Sequence, residues 1–211
     1  MKQFEPNPNG RDFVVGDIHG CFGKLTDDLK QLNFNFDNDR LFCTGDLVDR
    51  GPESHLALEW LAYPWFHSVR GNHEDMAIGY AEHNPNTPGA SSDWLYAQNG
   101  GQWFIDMPLN RQKLFASVFK QLPFRIQVGQ YGIVHAEAPE DWLRPDPEHI
   151  MLWSRTRVSL KDTKGTTNIK KVFLGHTPMR KPLECGNNHY IDTGACFGYH
   201  FTIIELEHNK L

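Results

Sequence analysis

The chain has no surplus of basic charge, no long apolar run and no paired cysteines, and each lack closes off a class of protein. With 21 Lys and Arg against 26 Asp and Glu the net charge is -5. That argues against non-specific nucleic-acid binding, which needs excess cations to displace counterions from phosphates. Any recognition of phosphate must then be local. No stretch approaches the roughly 20 apolar residues of a membrane-spanning helix, and Met1 to Gly10, with Pro6 and Pro8, holds no apolar segment of the secretory kind. A cytoplasmic protein with no membrane partner is expected. The four cysteines, Cys21, Cys43, Cys185 and Cys196, have neither zinc-ribbon spacing nor the density of a disulfide scaffold, so reduced thiols are expected. There is no internal repeat and no interdomain linker. An apolar content of 39% with 14 Phe and 6 Trp suits one domain with a sizeable core over residues 1–211.

What the chain does have is a recurring pattern of short apolar runs that end in a glycine and then in ligand-type side chains. Phe13 to Val15 runs into Gly16, Asp17, Ile18, His19 and Gly20. Were the backbone to stay extended there, Asp17 and His19 would share a side, because side chains alternate across a strand. A carboxylate and an imidazole suit manganese, iron or zinc better than calcium. Leu41 to Cys43 runs into Gly45, Asp46, Leu47, Val48, Asp49, Arg50 and Gly51, and Phe66 to Val69 into Arg70, Gly71, Asn72, His73 and Glu74. The hairpin of Arg125 to Val128 and Gly132 to His135 ends at His135, and Lys171 to Leu174 delivers Gly175, His176 and Thr177. Taken alone, Gly45 to Gly51 reads equally as a tight turn capped by Asp46 with Arg50 in a surface ion pair. The repetition is what departs from ordinary turns.

Between these runs Phe22, Leu25, Leu29 and Leu32 recur at helical spacing, so strand, helix and strand form a βαβ unit whose ligands gather at the strands' carboxyl ends. Ser54 is placed to cap a helix through Leu61. After His73 a helix to about His83, a surface loop at Asn84 to Ser92, a short helix at Asp93 to Asn99 and another at Arg111 to Leu122 make a mainly helical insert around 75–122. The remainder reads as a loop through Pro145 and Pro147, an exposed run from Lys161 to Asn168, and antiparallel strands at Leu183 to Cys185, His189 to Ile191 and Phe201 to Leu206. The class is α/β. Asp17, His19, Asp46, Asn72, His135 and His176 are too many ligands for one site with open positions, but they fit two ions sharing Asp46. Two metals about 3.5 to 4 Å apart are a standard apparatus for hydrolysing phosphate esters.

These motifs, in this order and approximate spacing, resemble the metallophosphoesterases, and within them the phosphoprotein phosphatases. The Trp153, Ser154, Arg155 element and the Asp192, Thr193, Gly194, Ala195 run make the small bacterial and bacteriophage lambda type the nearest likeness, over nearly the whole chain. The resemblance implies a calcineurin-like fold: two mixed β-sheets packed as a sandwich and flanked by helices. It implies that one divalent ion is held by Asp17, His19 and Asp46 and another by Asp46, Asn72, His135 and His176. Manganese is the expected metal, with iron, zinc, cobalt or nickel as alternatives. A hydroxide bridging the ions would attack phosphorus directly, Arg50, Arg70 and Arg155 would clamp the phosphoryl oxygens, and His73, oriented by Asp49, would protonate the departing alkoxide. Phosphoserine or phosphothreonine proteins or peptides are the implied substrates, with phosphotyrosine as a possible addition. A diadenosine polyphosphate hydrolase on the same metal core is the alternative; a non-catalytic scaffold is disfavoured because no ligand or arginine is missing. Glu137 after Ala136, and Tyr199 and His200 after Gly198, depart from the pattern and are expected to bear on substrate choice.

Overall fold

The computed structural model describes residues 1–144 and 146–208; Pro145 of the expected loop lies outside them. The chain opens with a strand the sequence did not foreshadow, β1 (Lys2–Phe4). Next, β2 (Asp12–Val15), α1 (Phe22–Gln31) and β3 (Arg40–Cys43) make the expected unit, with β2 and β3 parallel from Asp12↔Arg40 to Val15↔Cys43. The helix expected from Ser54 divides into a 3-10 turn (Ser54–Leu56) and α2 (Ala57–Ala62), and Ser54 caps neither. A capping residue must stand just outside the helix, whereas Ser54 already lies inside the turn and donates its hydroxyl to the Gly51 carbonyl at 3.2 Å.

After β4 (Phe66–Ser68) come four helices with no strand between them: α3 (Asn72–Ala81), α4 (Asp93–Gln98), α5 (Gln102–Ile105) and α6 (Leu109–Phe119). Thus Asn72 and His73 sit in the first turn of α3, not in a loop before it. The hairpin of β5 (Arg125–Val128) and β6 (Tyr131–Val134) turns over Gly129 and Gln130. Two short helices, α7 (Glu148–Trp153) and α8 (Thr156–Leu160), occupy a region with no clear periodicity in the sequence. The chain finishes with β7 (Lys171–Leu174), β8 (Leu183–Cys185), β9 (Asn188–Tyr190), a 3-10 turn at Ala195–Phe197, and β10 (Ile203–Glu205).

The strands form two mixed sheets, one of six in the order β1-β5-β6-β7-β9-β8 and one of four in the order β10-β2-β3-β4. Alternation along each strand decides which layer a residue joins. Val14 and Phe42 of the smaller sheet meet Ile126, Val128, Ile133 and Phe173 of the larger in the layer between them. Their neighbours Phe13, Val15, Leu41 and Cys43 pack outward on α1, Trp60 and the aromatic faces of the later helices. On the far side, Val134, Val172, Leu174 and Tyr190 bury against Trp142, Met151 and Val158. Among the described residues no helix is long and apolar enough to cross a membrane, and all four cysteines carry free thiols.

Candidate metal centre

Because β2, β3 and β4 run parallel, the loops after them leave one edge of the smaller sheet, and β6 and β7 likewise deliver His135 and His176 from one edge of the larger. The two edges meet. Nδ1 of His135 donates to the Thr44 carbonyl at 2.8 Å, and the His176 amide donates to Oδ2 of Asp17 at 2.8 Å. The loops are tightly wound: His19, Asp46, Asp49, Arg50 and His176 all take left-handed backbone angles, φ 47, 51, 69, 70 and 65°. Such angles are costly for residues with side chains and gather at functional sites. His19 is therefore not on a continued strand, and the side-sharing expected of it with Asp17 does not arise. Close approach sets the glycines: a Cβ on Gly71 would lie 2.2 Å from Oδ1 of Asp46, and one on Gly175 1.9 Å from Oδ1 of Asp17.

Asp46 stands between two groups of donors, one with His19 and His73 and one with His135 and His176. Its Oδ2 is 3.5 Å from Nε2 of His19 and 3.9 Å from Nε2 of His73, while its Oδ1 is 3.4 Å from Nε2 of His135. One carboxylate thus offers an oxygen to each side. Oδ1 of Asn72 lies 2.8 Å from both Nε2 of His135 and Nδ1 of His176. Burial lowers the pKa of both imidazoles, that of His176 to about 3 with the help of His135, so both rings are neutral. The single hydrogen on each is already committed, on His135 to the Thr44 carbonyl and on His176 to the Trp153 carbonyl at 3.2 Å. Two imidazole lone pairs, an amide oxygen and a carboxylate oxygen therefore converge, and neither ring has a hydrogen left to share. A cation satisfies such a set, and imidazole with its second nitrogen fixed on a carbonyl is the usual form of a metal ligand. His19 follows the same rule, with Nδ1 on the Val48 carbonyl at 2.8 Å, and Nη1 of Arg50 approaches its Nε2 at 2.6 Å.

Asp17 falls outside both donor groups. Its carboxylate is held by the Thr44 hydroxyl at 2.9 Å and the His176 amide, and burial, with Asp192 and Asp46 beside it, pushes its pKa well up. Asp192, to which the sequence assigned no role, is raised to about 6, mainly by burial. Burial also raises Asp46, but His135, His73 and His19 outweigh it and hold its pKa below the ordinary carboxylate value. Glu74 accepts from the backbone N–H groups of Asp46, Leu47 and Gly71 at 3.0, 2.8 and 2.8 Å; burial and the charge of Asp46 lift it to about 7.

Nδ1 of His73 donates to Oδ2 of Asp49 at 2.7 Å. Burial pulls His73 down, yet Asp46 and the bonded Asp49 outweigh it, and its pKa is raised. Arg155 reaches the His176 carbonyl with Nη2 at 3.2 Å. Arg70 is not brought to the donor groups: its Nη2 donates to the Lys120 carbonyl at 2.6 Å, and its Nε is buried without a partner. Glu137 accepts from the Ser154 hydroxyl at 2.7 Å and the Arg157 amide at 3.0 Å. It braces the segment carrying Arg155. His200 is exposed.

A model of the calcineurin-like phosphoesterases matches residues 13–202. The chain belongs to that family. As a calcineurin-like phosphoesterase it is an enzyme of phosphoester hydrolysis, and the family implies divalent metal ions, for which the donor groups around Asp46 are suited. It is 35% identical to serine/threonine-protein phosphatase 1 of Salmonella typhimurium over 92% of this chain and 91% of that one. It is 25% identical to the asymmetrical bis(5'-nucleosyl)-tetraphosphatase PrpE of Bacillus cereus, over 88% of this chain and 86% of the other. The crystal structure of a cold-active protein-tyrosine phosphatase from a psychrophilic Shewanella shares the fold, with a TM-score of 0.66 at 16% identity over 99% of this chain and 78% of that one.

Proposed function

We propose that this phosphoesterase is a metal-dependent protein phosphatase that hydrolyses phosphoserine and phosphothreonine monoesters. The observation that carries the reading is the convergence of imidazole nitrogens and the Asn72 amide oxygen around Asp46, with one oxygen of that residue turned to each side. Asp17, His19 and Asp46 would hold one ion, and Asp46, Asn72, His135 and His176 the other, with manganese as the expected metal. Divalent ions bound there supply a water acidic enough to attack phosphorus at neutral pH. The chain's own side chains do the rest. Arg50 and Arg155, with Arg70 as the expected third, would fork onto phosphoryl oxygens, a task the planar guanidinium suits. His73, bonded to Asp49, gives its proton to the departing alkoxide, a poor leaving group that needs one.

The identity to a serine/threonine phosphatase over nine-tenths of both chains favours a phosphoprotein, and the tetraphosphatase relative sustains a second reading, hydrolysis of a dinucleoside polyphosphate. A paired assay decides between them: the manganese-loaded chain with a phosphoserine peptide and with diadenosine tetraphosphate. Turnover of the peptide at the higher kcat/KM is expected, and the reverse order would sink the proposal.

A further inference from the structure

The helices between β4 and β5 reach the site at one point that no sequence motif marks. Asp49 is fully buried, and only one of its two carboxylate oxygens is used by His73. The other accepts from the indole Nε1 of Trp103 at 2.7 Å and, more distantly, from the Tyr96 hydroxyl at 3.4 Å. An indole N–H donates and cannot accept, so Trp103 needs an acceptor, and Oδ1 of Asp49 is the one it has. Its ring is held by Phe104 and Phe115, each with its centroid 5.4 Å away at an interplanar angle near a right angle, 66° and 72°. Tyr96 is fully buried. Gly100, between these two residues, accepts the Arg50 amide at 3.4 Å. A carboxylate gripped on one oxygen alone is free to swing about its terminal bond; gripped on both, it has one plane and directs His73 along one line.

We infer that Trp103, seconded by Tyr96, is a positioning residue for proton donation to the leaving group, acting through Asp49 on His73. This rests on the proposed role of His73. The helical segment thus completes the acid, and its packing against the sheet fixes the angle at which the imidazole meets the departing oxygen. A phenylalanine at position 103 would fill much of the same apolar space and lack only the donor, so the role is separable from packing.

The test is Trp103→Phe, with Tyr96→Phe beside it, in the manganese-loaded full chain, assayed on a phosphoserine peptide and on p-nitrophenyl phosphate, whose leaving group needs no proton. We expect Trp103→Phe to lower kcat on the peptide about tenfold, the scale of one lost hydrogen bond to a charged group, with KM and the aryl phosphate rate changed by less than about twofold. Tyr96→Phe should lose less, in keeping with its longer bond. In a His73→Asn background Trp103→Phe should cost nothing more, because residues that act as a unit are not additive. As a readout independent of turnover, the Nδ1–H resonance of His73 in the metal-free protein, assigned by its loss in His73→Asn, should shift in Trp103→Phe. Equal losses on both substrates, an undiminished loss in the His73→Asn background, or an unmoved resonance would each overturn the role of Trp103. Should His73→Asn itself slow both substrates equally, the acid assignment falls instead, and the two failures are told apart.

Discussion

At the scale of the residue, Asp46 concentrates the chemistry because, among the described residues, it alone belongs to both donor groups. Asp46→Asn removes the charge each ion would share, so metal content measured on the purified protein should fall from two ions per chain to below one; a variant that keeps both ions refutes the shared carboxylate. Gly71→Ala tests the same spot from the backbone side. Its methyl would intrude on the Asp46 carboxylate, and loss of metal with a retained fold, seen by circular dichroism and elemental analysis, is expected. His73→Asn should slow a phosphoserine substrate by about 10² to 10⁴ fold and an aryl phosphate far less. These residues were legible in the sequence because each follows an apolar run and a glycine. Trp103 and Glu74 were not assigned roles, since what they do depends on contacts across 54 and 28 positions of sequence, and no local pattern reports such a partner.

At the scale of the element, the parallel strands that present the site loops are tied together at their other ends. Asp39, just before β3, accepts from the Arg11 amide at 2.7 Å and from its guanidinium at 2.7 and 3.2 Å. Burial raises the Asp39 pKa, but the Arg11 bonds outweigh it and the net shift is downward. With the folded pKa below the unfolded value of about 4, this stabilisation is complete above that value and fades as the pH falls through the lower, folded one. Asp39→Asn should therefore cost about 1–3 kcal/mol at pH 7, and its unfolding curve should converge on that of the parent in acid; a gap that persists or widens there would refute the ion pair. The long elements were readable from periodicity, as with Phe22, Leu25 and Leu29 of α1. Those missed are short. β1 has three residues, α5 four and α8 five, too few to show a period, and tertiary partners decide their conformation. Ser54 misled because its residue type favours a cap while its position is one residue inside the 3-10 turn.

At the scale of the whole molecule, the site lies on the seam between the sheets, with His135 and His176 from one and Asp46 and Asn72 from the other. Binding there should stabilise the fold as a whole. Manganese at about a hundredfold over its Kd adds about 2.7 kcal/mol for one ion, or roughly 5 to 10 °C in Tm for a chain of this size. Calorimetry with manganese and then with a chelator measures it, and a Tm indifferent to both would mean the acceptors hold no cation. The two-sheet architecture itself was legible only through the family's motifs, since which strands share a sheet is a long-range matter. Its least visible feature is the exchange of outer strands: β1 pairs with β5 in the sheet of the later strands, and β10 with β2 in the sheet of the earlier ones. The halves are clasped like crossed arms, so neither can peel away without first freeing a limb from the other, and the pocket should vanish in the same single, cooperative step as the rest of the molecule rather than loosen ahead of it.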